Sequence, residues 1–243
     1  MADVYERLRE RLDMFPQGFA KTKSGVELEI LKRLFSPEEA ETVLHLKPLP
    51  EKLADIAYRT GEDEKKLGEM LYDMSKRGLV MRWQAPDKEM YYFLIPWVVG
   101  IWEFQLNNLT RENVELFDRY YKEGMAPSWE DRKTGIFRVI PVQKEIEGKT
   151  EIQPYEQVSQ IIEKHTRFAV ADCICRKERK ILGEGCGKLM EACMQFGPAA
   201  DFYIENGLGR EITKEEAKQI LEKAEEEGLI HCSTNKVGTK TFI

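Results

Sequence analysis

Apolar positions in the first eighty residues recur at helical spacing between strong start and stop signals. Ser36-Pro37-Glu38-Glu39 sets a cap residue, a proline at the first helical position and a glutamate at N3, which predicts a helix running toward Leu46. After Pro50, Leu53, Ile56 and Ala57 keep that period until Gly61, and Leu67, Met70, Leu71 and Met74 keep it until Gly78. The pattern then changes. Residues 79–81 read as a strand, 85–88 as a turn and 89–95 as a returning strand, so the segment predicts helix, turn, helix and hairpin in the order of a winged helix.

The run 91–102 (YYFLIPWVVGIW) is 12 residues long and broken by Pro96 and Gly100. A membrane-spanning helix needs about 20 apolar residues, so this run is expected in a core or interface. Helical spacing continues through Leu116, Tyr120 and Tyr121 and fades over 125–135 (MAPSWEDRKTG), the predicted boundary between domains at 1–124 and 136–243. Residues 136–142 read as a strand, Gly148 and Pro154 bracket a turn, and Pro154 starts a helix with Val158, Ile161 and Ile162 on one side. The short apolar stretch 168–171 delivers the first cysteine. Thr213-Lys214-Glu215-Glu216 reads as a capping box ahead of the stripe Ala217, Ile220, Leu221 and Ala224, which Gly228 stops.

Composition narrows the class. With 243 residues, 42% hydrophobic and 33% charged, disordered and fibrous chains are excluded. The net charge of −6 offers no overall electropositive footprint for nucleic acid. The candidate recognition helix, 62–77, sets Glu62, Asp63, Glu64, Glu69 and Asp73 against Lys65, Lys66, Lys76 and Arg77. Phosphate contacts supply most DNA affinity, so that helix is expected to serve structure or protein contact instead. The opening MADVYERLRERL is a charged amphipathic helix without an apolar secretory core, and a cytoplasmic protein is expected. A chain of this size needs no disulfide staples, and in a reducing compartment its five cysteines are expected as ligands, nucleophiles or buried hydrophobes.

Four of those five fall in 171–197, ADCICRKERKILGEGCGKLMEACMQFG. Cys173 and Cys175 form a C-x-C pair, Cys186 follows after ten residues and Cys193 after six more, four thiols within 21 residues. Four thiolates suit a tetrahedral zinc or an iron–sulfur cluster. The C-x(2–4)-C knuckle of structural zinc sites is absent. On one helix Cys186 and Cys193 would lie about 10.5 Å apart along the axis, whereas thiolates on one zinc sit about 3.8 Å apart. The spacing therefore favours the larger object, with zinc left open, and Gly183, Gly185 and Gly187 predict a loop that lets Cys186 approach. Ile174, Ile181, Leu182, Leu189, Met190 and Phe196 are candidate walls against solvent, and N–H groups near Gly185, Gly187 and Gly197 are candidate donors to sulfide. Arg176, Lys177, Arg179 and Lys180 have two readings, as charges that lower thiol pKa values or as a solvated helix face.

Other chemistry finds little support. Cys232 follows His231, but neighbours on a strand point to opposite faces, so the pair is not expected to act as nucleophile and base. His45 and His165 are expected to be structural, and Tyr203 and Asn206 to shape a turn. No phosphate-binding loop, dinucleotide fingerprint, H-E-x-x-H or haem-attachment motif occurs.

ERLDMFPQGFAKTKSGVELEILKRLFSPEEAE near the start, with CICR, GCGK, C-x-x-FGPAADFYIENGLGREITKEEA and AEEEGLIHCSTN, resembles the 4Fe-4S ferredoxin or iron-sulfur-binding domain proteins of anaerobic prokaryotes. The resemblance covers nearly the whole chain. It implies a mainly α fold with small β elements, in which a winged-helix-like N-terminal domain precedes an α+β cluster-binding domain. It also implies a 4Fe-4S cluster on Cys173, Cys175, Cys186 and Cys193, and electron transfer with a redox protein partner rather than a stand-alone enzyme. Homo-oligomerisation stays open. Similar proteins continue past the position of 242–243 into a cysteine-rich ferredoxin module; without it, a structural or sensory role for a lone cluster is an alternative to electron relay. The alternatives are a cluster-sensing winged-helix regulator and a scaffold with a structural zinc or cluster.

Overall fold

Helices α1 (Val4–Asp13), α2 (Val26–Leu34) and α3 (Pro37–Leu44) each turn an apolar stripe inward, burying Leu8 and Leu12, Ile30 and Leu31, and Ala40 and Val43. The computed structural model describes residues 3–85, 88–130, 132–139 and 158–234. The chain divides into two compact units, Met1–Lys133 and Thr134–Ile243. The predicted capping box at α3 is complete: Glu39 N–H donates to Ser36 Oγ at 3.2 Å, and Ser36 N–H donates to the Glu39 carboxylate at 2.8 Å.

Next come β1 (Glu51–Lys52), α4 (Leu53–Thr60), α5 (Glu64–Lys76), β2 (Met81–Gln84) and β3 (Met90–Phe93). The three strands form an antiparallel sheet in the order β1-β3-β2, with Glu51 and Arg82 on either side of Tyr92. A two-residue strand has no readable period, so β1 is invisible to sequence patterning and exists because β3 offers a free edge. The first hairpin strand begins at Met81 rather than 79; Leu79 and Val80 are core residues outside the sheet. Gly78 sits at φ 75° with Phe104 packed where a Cβ would project, which explains why glycine ends α5.

The apolar run is core, as expected. It ends in a kinked segment, Trp97–Ile101, in which Val99 adopts φ 51°. Trp97 packs at 5.2 Å from Phe19 and 5.5 Å from Phe117. Helix α6 (Arg111–Tyr120) leads through 121–125 into α7 (Ala126–Glu130). The aperiodic 125–135 segment is therefore helical to Glu130. Its anchor is polar, Trp129 Nε1 donating to Gln17 O at 3.0 Å, which is why no apolar stripe marks it.

In the second unit β4 (Phe137–Val139) pairs antiparallel with β8 (Cys232–Thr234). Residues 140–142 of the expected strand, the Gly148–Pro154 turn and the start of the following helix lie outside the described residues. Then follow α8 (Val158–Glu163), β5 (Phe168–Asp172), α9 (Ile174–Leu182), β6 (Glu191–Phe196), α10 (Pro198–Glu205), β7 (Arg210–Glu211) and α11 (Lys214–Glu226). The antiparallel sheet runs β6-β5-β7, and Phe168, Val170, Met194 and Phe196 cluster with Ile161, Ile162, Ile212 and Leu221. Thr213 caps α11 by accepting from Glu216 N–H at 3.0 Å. Glu216 instead pairs with Arg210 at 2.6 Å. The fold is mainly α with small β elements.

Candidate functional site

Strand β5 is the central strand, and its first four residues are buried. Cys173 still donates its N–H to Met190 O at 2.8 Å, then leaves the strand at φ −68°, ψ 111° to become the N-cap of α9. Cys175 falls in the first helical turn. The Cys175 thiol hydrogen-bonds to the Cys173 sulfur, and this contact does most to hold the Cys173 thiol below its ordinary 9.0, to about 6. Burial opposes the shift; the N–H groups of Arg176 and Cys175 and the Arg176 charge reinforce it.

Cys193 stands opposite Ala171 in the β5–β6 pair, and directly paired residues share a face of the sheet. Cys173 lies two positions beyond Ala171, just past the end of the strand. Both cysteines are half-buried. A register shift between Ala171 and Asp172 adjusts the pairing next to the site.

Cys186 is exposed on the predicted glycine loop, where Gly183 and Gly187 have φ of 85° and 73°. The loop is tied at both ends. Glu184 N–H bonds Arg179 O at 2.8 Å, while Leu189 N–H donates to the Glu227 carboxylate and Lys188 Nζ reaches Gly228 O at 3.4 Å. Among the described residues no group of three or more Cys, His, Asp or Glu side chains is arranged to hold a metal ion. The structure thus joins Cys173 to Cys175, pairs Cys193 with Ala171 on the strand that leads to them and leaves Cys186 on the open loop. In chemistry the donor set fits thiolate ligation, since one sulfur favours its anion and Arg176 offsets the charge.

The surroundings separate readings that sequence left together. Arg176 acts on Cys173, whereas Lys177 pairs with Asp172 at 3.1 Å and Arg179 with Glu184 at 3.0 Å and buried Glu178 at 3.7 Å. Ile174 is buried beside the pair, as expected of a wall. Phe196 is not one: three positions from Cys193, it faces the opposite side, edge-on to Phe168 at 5.7 Å and stacked on His165 at 5.2 Å. The Gly197 N–H is bonded to Arg167 O at 3.0 Å and is no donor to sulfide. Sequence reasoning missed Asp172 and Glu227. Asp172 had a signal, a carboxylate adjoining the C-x-C pair; Glu227 had none, because it reaches the loop only through the tertiary fold.

Cys232 lies opposite Val139, and burial pushes its thiol up. His231 is buried, which lowers its imidazole below the ordinary range. Neither forms an activated nucleophile. His45 caps α3, its N–H on Thr42 O at 3.1 Å, and Tyr203 O accepts Leu208 N–H at 2.9 Å in the turn after α10.

In the first unit, Asp63, Glu64, Glu69, Tyr72 and Tyr92, with Lys65 as the one cation among the described residues, line a cleft of about 630 Å³ beside α5. Lys66 pairs with Glu38 at 3.0 Å and Arg77 with Asp73 at 2.9 Å, so part of this helix's positive charge is spent on carboxylates. Among the described residues no helix is long and apolar enough to cross a membrane. No known protein family, curated protein or solved structure matches the chain.

Proposed function

We propose that this chain binds a 4Fe-4S cluster through Cys173, Cys175, Cys186 and Cys193 and exchanges electrons with a redox protein partner in the cytoplasm. The observation that carries this reading is the hydrogen-bonded Cys173–Cys175 pair, in which one thiol is held at about 6. Thiolates are the metal-binding form, and a site that favours them at neutral pH has less proton release to offset on binding. Cys193, paired with Ala171 on the strand next to the Cys173–Cys175 pair, and the glycine-rich loop of Cys186 support a four-sulfur set. The bound group would supply one-electron chemistry. The chain's own residues keep sulfur deprotonated, balance its charge through Arg176 and shield one side with Ile174.

The test is anaerobic reconstitution of the full chain with ferrous iron and sulfide. Stoichiometric iron and acid-labile sulfide with visible absorption are expected, and Cys175→Ser should lose them. A colourless protein holding stoichiometric zinc and no iron overturns the cluster and its redox role. Unchanged iron in Cys175→Ser overturns the ligand assignment.

The first unit supports a second component. Helix α3, β1, α4, α5 and the β2–β3 hairpin follow the winged-helix order, and we read the unit as winged-helix-like. The acidic cleft beside α5 favours protein contact over DNA, because carboxylates facing phosphate oppose binding. A random-sequence duplex should show no gel shift even near ~50 mM salt; retention there that fades by ~200 mM would favour a cluster-sensing regulator.

A further inference from the structure

We propose that Cys173 and Cys175 also form a dithiol–disulfide couple: in the metal-free chain a low-molecular-weight disulfide oxidises them to a bridge closed over Ile174. The inference uses two sulfurs of the proposed centre but does not require a cluster.

Backbone geometry permits the bridge. The distance between Cα atoms two residues apart depends on φ and ψ of the residue between them, here Ile174, which is helical. Helix parameters then put the Cys173 and Cys175 Cα atoms about 5.4 Å apart, within the roughly 4.4–6.8 Å that disulfides span. Inside a regular helix such neighbours point about 200° apart around the axis and their sulfurs would not meet. Cys173 escapes that arrangement because it is the cap, with extended ψ of 111° rather than a helical value. Its sulfur consequently takes the hydrogen bond from the Cys175 thiol. Cys175 is exposed, so a small disulfide can reach the pair.

The chemistry balances. Cys173 gives up its proton and its sulfur attacks one sulfur of R–S–S–R, forming a Cys173–S–S–R mixed disulfide and releasing RS⁻. Cys175 gives up its proton, its sulfur attacks the Cys173 sulfur, and the bond to SR breaks. The second RS⁻ leaves. Two electrons pass from the cysteine pair to the external disulfide, and the products after protonation are the bridge and two RSH. A bridged pair has no thiolate left to bind metal, so oxidation and ligation exclude one another.

The test oxidises the full chain, stripped of metal with a chelator, using glutathione disulfide, followed by trypsin and mass spectrometry. Cleavage after Arg167 and Arg176 releases 168–176 (FAVADCICR) with both cysteines, while Cys186 and Cys193 fall on other peptides. The expected result is that peptide about 2 Da lighter, without a glutathione adduct, and restored by dithiothreitol. The same loss is expected in Cys186→Ser and Cys193→Ser, and Cys175→Ser should stop at the mixed disulfide on Cys173. A lasting glutathione adduct on the wild-type pair, or a bridge from it to Cys186 or Cys193, overturns the inference. A chain that closes this bridge yet never takes up iron would defeat the cluster reading and leave the couple standing. Iron uptake with no bridge in the stripped chain would do the reverse.

Discussion

Met1–Lys133 gathers 28 buried residues into one hydrophobic cluster, while the corresponding cluster in Thr134–Ile243 has 9, among the described residues. The larger cluster is centred on aromatic rings, with Phe19, Trp97 and Tyr120 in mutual contact at 4.8 to 6.1 Å. The second unit carries every cysteine of the chain. Its surface, like that of the first unit, carries ion pairs such as Arg210–Glu191 at 2.7 Å and Lys214–Glu163 at 3.0 Å. Exposed pairs of this kind contribute little, so among the described residues the unit that holds the cysteines has the smaller apolar cluster to rely on. Ligation of a metal by its thiolates would add stability there, because a ligand bound only by the folded state favours that state.

That contrast can be broken by mutation. The largest effect is expected from Trp97→Ala, which should destabilise the first unit by about 4 kcal/mol in denaturant unfolding, since it empties the centre of the aromatic cluster. A loss below about 1 kcal/mol would remove this cluster as the source of the unit's stability. Phe196→Ala should cost the second unit about 3 kcal/mol and, with so few core residues to share the strain, abolish hydrogen-exchange protection in 168–196. Protection that survives would mean that the ion pairs matter more than exposed pairs usually do.

The next effect concerns pH. Cys173 is held down to about 6 and Cys232 is pushed up by burial, so at neutral pH iodoacetamide should label Cys173 on the order of tenfold faster than Cys232. For stability the sign follows from a folded-state value below the ordinary 9.0: the contribution is complete above 9.0 and is lost as pH falls through about 6. Cys175→Ser removes the main cause and should raise the labelling midpoint of Cys173. An unmoved midpoint would reassign the shift to Arg176 and the helix amides. The smallest effects belong to the caps. Ser36→Ala should cost about 1 kcal/mol and Thr213→Ala somewhat less, because only Ser36 has a reciprocal box.

Much of the local architecture was legible from short-range physics. The cap at Ser36, the glycine stops at Gly61, Gly78 and Gly228 and the glycine loop around Cys186 all match their sequence signals. Each depends on backbone groups within a few residues, so the relevant atoms are neighbours in any fold that contains the element. The clustering of four cysteines was equally plain.

The site's interior was decided elsewhere. Whether Phe196 walls the cysteines or fills the core depends on which face of β6 the sheet presents to α8 and α11. Whether Glu216 completes a cap depends on Arg210 being near, and the strand edge that admits β1 is created only when the β2–β3 hairpin forms. The basic run divided its tasks because Asp172 and Glu184 reached Lys177 and Arg179 and left Arg176 to act on sulfur. Residue order along the chain determined the clustering of the cysteines, the caps and the breaks by itself, since their range is local. Only the tertiary structure assigned faces and partners, because strand register and the meeting of distant charges are set by long-range packing that no local pattern encodes.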